Sequence, residues 1–322
     1  MGPVSSLKGI PDMYEDLTLI VDEKYSKFRV DQFLKLKFPD VSRGTIRKAF
    51  LSRSVLINGR QGRKGEILNN GDKVTINRLE SKKDLRYTPH LLKGPKVVYT
   101  DDSIIAIYKP PFIHTLPGSA GEKDTLANFA NYMFPRREDE SFSKPPLFLS
   151  RLDYETSGIV LMAKNLAAHE TLLVMQEKGQ ILKRYVLIVG REVHEEVVVK
   201  NLVITTGGST VKVDRNRTFD DENYHTRFIP DRVMNGCSML YGEIRKGRMH
   251  QIRAHAAYKG YPILGDRKYG GKTIPPMNSL PLRPLLHSAQ IDIPSMDGKD
   301  KLRITCSFPE DLFRMVDLLF SS

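Results

Sequence analysis

Ser150-Arg151-Leu152-Asp153-Tyr154-Glu155-Thr156-Ser157-Gly158-Ile159-Val160-Leu161-Met162-Ala163-Lys164 sets one carboxylate between a cationic side chain and a hydroxyl-rich Gly turn, directly ahead of an apolar run. Residues 159–163 read as a strand. Asp, Thr, Ser and Gly together are also what any loop-to-strand junction uses. On its own the segment therefore reads as structural, and the rest of the chain decides what Asp153 is for.

On either side of this strand the pattern is mixed. Residues 97–99 and 104–108 flank Thr100-Asp101-Asp102-Ser103 as strand, turn and strand, and helical spacing appears at 125–130 and again at 165–178. Further strands are expected at 183–189, 197–204, 238–244 and 302–308. No repeat and no steady βαβ alternation is present, so the fold class is α+β, built on a largely antiparallel mixed sheet with flanking helices and a central cleft. Toward the N-terminus, residues 77–94 are polar, contain Ser81-Lys82-Lys83-Asp84 and end in Gly94-Pro95, which reads as a linker hinged near residue 85. Before it, Val30, Phe33, Leu34 and Phe38 predict a helix that stops at Pro39, and Ser42 caps a second helix. There Ile46, Ala49 and Phe50 form the apolar stripe while Arg43, Arg47 and Lys48 project elsewhere. Val55-Leu56-Ile57 runs into Asn58-Gly59, a hairpin signal, and Asn69-Asn70-Gly71-Asp72 repeats that turn chemistry. The expected boundaries are an arm over 1–22 that lays down one edge strand, a small α/β domain over 23–78, a linker over 79–96 and a large domain over 97–322.

The 322 residues carry 50 Lys and Arg against 38 Asp and Glu, a formal charge of +12. With a pI near 9.5, the balance favours a polyanionic partner, nucleic acid ahead of an anionic membrane surface. Two cysteines, Cys237 and Cys306, exclude a disulfide scaffold and a cysteine-rich metal site, and both read as buried thiols. No stretch has the length of a signal peptide or a membrane span, so a cytoplasmic setting is expected. His250 and His255 lie five positions apart, off a shared helical face, which speaks against a metal pair.

Two resemblances organise these residues. Arg29-Val30-Asp31-x-x-Leu34, Ser42-Arg43, Val55-x-Ile57-Asn58-Gly59 and Gly71-Asp72-x-Val74-x-Ile76 resemble the S-four-like RNA-binding domain first seen in a ribosomal protein. That likeness implies a basic RNA-docking face of Arg43, Arg47, Lys48 and Arg53, continuing through Arg60, Arg63 and Lys64. The opening segment resembles the signature of the RNA pseudouridine synthases of the large-subunit ribosomal (RluA-type) family. The other motifs of that family follow in order: Tyr108-Lys109-Pro110 with Leu116-Pro117-Gly118; Lys183-Arg184-Tyr185; Gly247-Arg248-Met249-His250-Gln251-Ile252-Arg253 with Gly265-Asp266 and Tyr269-Gly270; and Leu286-His287-Ser288. Each piece has a plainer explanation by itself, but an ordered set of five is hard to reach by chance.

The resemblance implies an enzyme that converts uridine to pseudouridine in structured RNA, most of all large-subunit ribosomal RNA, without metal or small-molecule cofactor and as a monomer. Asp153 would be the nucleophile and Arg253 its salt-bridge partner. A guanidinium can keep a buried carboxylate charged against desolvation. Tyr185 would pack on the base, its phenol available to assist proton removal from carbon 5. Arg151 would fill the stack vacated by a flipped uridine, and Lys109, His250 and Gln251 would contact RNA. Ser150, Met249, Tyr108 and Leu116 depart from the residues usual at their positions, which leaves the choice of uridine open. The alternative is an RNA-binding assembly factor on the same fold without activity. A glycoside-cleaving or phosphoryl-transfer enzyme would need a placed second carboxylate or a phosphate-cradling Gly loop, and neither is present.

Overall fold

Amphipathic spacing and turn chemistry account for the first of two units, Met1–Arg86 and Tyr87–Ser322, in a computed structural model that describes residues 13–38, 41, 43–80, 92–118, 122–134, 147–205, 209–271, 283–295 and 300–320. Helix α1 (Val30–Lys37) and helix α2 (Arg43–Leu51) bury Val30, Phe33, Leu34, Ile46 and Phe50 together against a sheet. The sheet comprises β1 (Met13–Ile20), β2 (Val55–Ile57), β3 (Arg60–Gln61) and β4 (Lys73–Glu80), all antiparallel in the order β1-β4-β2-β3. Asn58 and Gly59 both take positive φ, 51° and 78°, as a two-residue hairpin turn requires. The Asn58 side chain then donates to Asp72 at 2.8 Å and accepts from the Lys73 amide, joining the two Asn-rich turns. Pro39, Ser42, the arm's residues 1–12 and the linker's residues 81–91 lie outside the described residues.

The second unit is organised by one strand. Strand β8 (Ser157–Ala163) is buried along its whole length. Its odd residues Ile159, Leu161 and Ala163 pack on Ala168, Leu172 and Met175 of α4 (Leu166–Glu177). Its even residues Val160 and Met162 pack on Leu126, Phe129 and Ala130 of α3 (Leu126–Met133). The period of two therefore places one helix on each face of the sheet, each large buried side chain contributing about 1.5–3 kcal/mol from area removed from water. Both helices start on the caps their sequences carry: Thr125 accepts from the Asn128 amide, and Asn165 from the Ala168 amide at 2.9 Å.

Around β8 the sheet runs β10 (Val197–Val199), β13 (Thr226–Met234), β14 (Cys237–Ile244), β9 (Leu182–Val189), β15 (Leu286–Pro294), β8, β6 (Ile104–Lys109) and β5 (Lys96–Thr100). Strand β7 (Leu147–Phe148) pairs with β8 and β16 (Lys301–Thr305) with β15. Among the named strands β8 and β15 make the one parallel pairing, Ser157 opposite His287 and Gly158 opposite Ser288. A Cβ at Gly158 would lie 2.3 Å from the Ser288 carbonyl oxygen, and its φ is +121°, so only glycine fits where β8 begins.

The run 197–204, expected as one strand, is two. Strand β10 joins the large sheet, whereas β11 (Asn201–Thr205) leaves it to pair with β12 (Val211–Thr218) in a separate ribbon. The Lys200 carbonyl accepts the Phe219 amide at that break. The last strand is shorter than 302–308, and α6 (Glu310–Phe320), which follows, buries Leu312, Met315, Leu319 and Phe320. Cys237 is buried as expected, but Cys306 is partly exposed.

Two buried histidines make the large unit sensitive to acid. In α5 (Gln251–Tyr258), His255 donates through Nε2 to the Asn201 carbonyl at 2.9 Å, and its Nδ1 lies 2.8 Å from the Thr226 hydroxyl. His287 meets Ser157 Oγ at 2.9 Å and Cys306 Sγ at 3.3 Å. Burial pulls both imidazoles down to about 4. Each is neutral when folded and protonates on unfolding below about 6.5. Their stabilising contribution is thus full above that pH and is lost as pH falls toward 4, with about two extra protons taken up on unfolding. Urea midpoints measured from pH 7 to pH 4.5 should fall steadily, and His255→Asn/His287→Asn should flatten that slope.

Candidate active site

The backbone around Asp153 is fixed before any catalytic side chain is considered. Lys109, last residue of β6, is fully buried. Its ammonium donates to the carbonyls of Pro110 (2.9 Å), Ile113 (2.9 Å) and Tyr154 (3.3 Å). The Tyr154 carbonyl also accepts the Phe112 amide at 2.8 Å. Thr115 Oγ1 donates to the Leu152 carbonyl at 2.9 Å and faces the Leu152 amide at 3.1 Å. Beyond the aspartate, Arg283 donates to the Glu155 carbonyl at 3.2 Å while bidentate on Asp311 at 2.5 and 2.9 Å. The first motif thus serves as the clamp for the second.

This corrects one motif assignment. Lys109, read as an RNA contact, has all its donors engaged under the loop and no exposed surface. Burial pulls its ammonium down to about 7, against the opposing charge of Asp153. Gln251 is corrected likewise: it is 2% exposed, donates to the Tyr224 carbonyl and Thr226 Oγ1, and accepts the Arg248 amide. It closes the start of α5 and does not face solvent.

Arg253 is the centre of the side-chain arrangement. It is 1% exposed, and its Nε and Nη2 hold Asp266 at 2.7 and 2.8 Å. Its Nη1 donates to Asp153 Oδ2 at 3.1 Å, and Nη2 stands 3.5 Å from Glu155. Its plane lies 5.4 Å over the Tyr269 ring. Burial would lower the guanidinium, but Asp266 and then Asp153 outweigh it and hold it firmly charged. The Asp153 side chain keeps 27% of its surface, so a substrate can reach it. Its other oxygen, Oδ1, has no hydrogen-bond partner among the described residues.

Tyr185, on β9 opposite Ser288 of β15, is 8% exposed. Burial, then the charge of Asp153, pushes its phenol well above the usual range, opposed by a hydrogen bond from Ser288. His250 has left-handed φ, 54°, at the residue before α5, a position a non-glycine holds only when its surroundings dictate it. Its Nε2 lies 3.5 Å from Asp153 Oδ2. Arg151 is exposed, as is Tyr154, whose ring meets His114 at 4.7 Å and Phe112 at 6.1 Å. Asp153, Arg253, Tyr185 and His250 are therefore one cluster, with Arg151 on the surface beside it.

The first unit carries basic residues of its own. Arg47, Lys48 and Arg53 are exposed, Arg53 with φ 57° just after α2. None of the three has an acidic partner among the described residues. The side chain of Arg43 lies outside them. Arg60 differs, being paired with Glu66 at 2.5 Å.

Asp266, Tyr269 and Thr115 carried no assigned role in the sequence, nor did Arg283 and Asp311. The block Gly265-Asp266 with Tyr269-Gly270 marks the first two as part of a motif, but a partner thirteen positions from Arg253 across a turn has no periodic signature. Gly265 itself has φ 77°, and a Cβ there would lie 2.1 Å from the Arg283 carbonyl oxygen.

Residues 103–258 match the family described as RNA pseudouridylate synthase. Ribosomal large subunit pseudouridine synthase C of Rickettsia typhi (strain ATCC VR-144 / Wilmington) is 30% identical, covering 77% of this chain and 84% of that protein. Ribosomal large subunit pseudouridine synthase D of Escherichia coli (strain K12) is 27% identical over 94% of each chain. The structure of human RNA pseudouridylate synthase domain containing 4 shares the fold, with TM-score 0.54 at 17% identity over 68% of this chain and 91% of that one. That of human RNA pseudouridylate synthase domain containing 1 gives 0.52 at 19% over 73% and 98%. The chain belongs to the RNA pseudouridine synthase family, in its RluA-type branch, and is thereby an intramolecular isomerase.

Proposed function

We propose that this protein isomerises specific uridines of large-subunit ribosomal RNA to pseudouridine, with Asp153 as nucleophile on a uridine extruded into the site. The observation that carries the reading is the Asp153 carboxylate, tethered through Oδ2 to Arg253 at 3.1 Å and open at Oδ1. Two relatives whose names specify the large ribosomal subunit support the substrate, as does the +12 charge. The exposed Arg47, Lys48 and Arg53 fit phosphate contact by an S-four-like domain, here assigned to residues 23–78. Working as a monomer in the cytoplasm without a cofactor completes the proposal. Among the described residues no helix is long and apolar enough to cross a membrane.

The reaction balances within the substrate. Asp153 Oδ1 bonds to ribose C1′ as the C1′–N1 bond breaks, its electron pair leaving with the uracil. The base turns, C5 bonds to C1′, and the Oδ1–C1′ bond breaks, returning the carboxylate. The C5 proton is lost and N1 gains one. Arg253 neutralises the carboxylate whenever it is free, and Tyr185 offers its ring to the uracil. A phenol pushed up by burial and by Asp153 is a poor base at neutral pH, so the regenerated Asp153 carboxylate is the better acceptor for the C5 proton. The test is tritium release from unmodified large-subunit ribosomal RNA labelled at uridine C5. Release with new pseudouridine at mapped positions is expected, and none from any ribosomal RNA would overturn the reading.

Arg151, exposed and two residues from Asp153, is assigned to the gap the uridine leaves. Unstacking costs roughly a few kcal/mol, which a planar cation offsets by stacking. Arg151→Ala should lower release from folded RNA by about ten-fold, equivalent to about 1.4 kcal/mol. Release from a short unstructured oligonucleotide should change little. Unchanged release from folded RNA would remove Arg151 from this role.

A further inference from the structure

His250 lies in the family block by sequence, and its ring is contacted by Tyr269 and, through it, by Val211 of β12. Its Nδ1 is 2.9 Å from Tyr269 Oη, and the same oxygen accepts the Val211 amide at 2.9 Å. The amide occupies one lone pair of that oxygen and leaves its proton available to Nδ1, and we assign Tyr269 as donor and Nδ1 as acceptor. In that assignment the imidazole proton sits on Nε2, and Nε2 faces Asp153 Oδ2 at 3.5 Å. That is longer than a formed hydrogen bond, as such contacts often are before substrate closes a site. The ring is 9% exposed at its side chain, and the residue, with left-handed φ 54°, is the one that precedes α5.

We propose that His250 is a positioning residue for the isomerisation: held as its Nε2–H tautomer by Tyr269 and Val211, it secures Asp153 Oδ2 together with Arg253, so that Oδ1 alone is presented to the nucleoside. The strand pair β11-β12, which carries Val211, thereby acts on the carboxylate through two side chains. The charged and titratable groups acting on the imidazole are Asp153, Arg253, Lys268 and Asp266, with Tyr269 in contact. Burial favours its neutral form, the form this tautomer needs. The inference rests on Asp153 being the reactive carboxylate.

Tyr269→Phe is the sharpest probe, because it deletes the hydroxyl while keeping a ring under Arg253. In protein with nitrogen-labelled histidine, two-bond proton–nitrogen spectra assigned by comparison with His250→Gln should show His250 as Nε2–H in wild type and a tautomer mixture in Tyr269→Phe. Tritium release by Tyr269→Phe should fall about ten- to a hundred-fold in kcat, the range seen when an orienting partner is removed. KM should stay within about two-fold, since RNA binding is untouched. His250→Gln, whose amide N–H stands near the Nε2 position, should recover most of the kcat that His250→Ala loses. An Nδ1–H tautomer in wild type, a loss confined to KM, or Gln no better than Ala would overturn the proposal. Release retained by Asp153→Asn would instead overturn the reading beneath it. The two failures are distinguishable because the tautomer is read without substrate.

Discussion

Asp153→Asn should leave a folded protein that binds RNA and releases less than about one-thousandth of the wild-type tritium, a loss on the scale seen when a nucleophile is deleted. The substitution is nearly isosteric, and its amide oxygen can still accept from Arg253 Nη1, which donates to the carboxylate at 3.1 Å. The guanidinium keeps its bidentate bond to Asp266, so no buried cation is stranded and the urea midpoint should hold. What disappears is nucleophilicity, because an amide oxygen carries no full charge to give C1′. RNA affinity in a filter assay should stay within about three-fold, since phosphate contact depends on basic groups this change does not touch. Loss in kcat at constant affinity is the signature of a group that acts in the transition state. Activity above about a tenth of wild type would remove Asp153 from the role of nucleophile.

Elements with strong local signals are legible in the sequence, and those whose partner is distant along the chain are not. Strand β8 is legible because an apolar run follows a glycine turn, and α3 and α4 because helical spacing runs over 125–130 and 165–178. The seam between β8 and β15 was not, since Ser157 and His287 are 130 positions apart and alternation does not say which edge a strand will join. The same blindness merged β10 and β11, two short apolar segments that pair with different partners. Asp153, Tyr185 and Arg253 were reached through the ordered motifs, and the structure brings them into one cluster. Lys109 and Gln251 were misplaced because a polar residue inside a functional motif reads as facing substrate. Each is instead a buried side chain whose hydrogen bonds are completed by backbone, a state that depends on loop closure and leaves no trace in spacing.

Asp266→Ala should destabilise the large unit by about 3–5 kcal/mol, the usual cost of stripping one partner from a buried ion pair. Arg253 is 1% exposed and Asp266 fully buried, so water cannot replace the lost carboxylate. The guanidinium would retain Asp153, at the edge of the site, and Glu155 at 3.5 Å, which cannot satisfy Nε. The effect should appear as a lower urea midpoint at unchanged slope. Activity should fall as well, and stability alone cannot say why. Adding Arg253→Met separates the two causes, because it deletes the stranded cation and fills its volume with an apolar chain. Such double replacements often regain most of the lost stability, here to within about 2 kcal/mol of wild type. Isomerisation should nonetheless stay abolished, since Asp153 Oδ2 then loses the guanidinium donor that orients it at 3.1 Å. A double variant that is stable and inactive assigns Arg253 to the chemistry. One that regains both would mean the pair serves folding only, and coupling from the full cycle gives the size of each share.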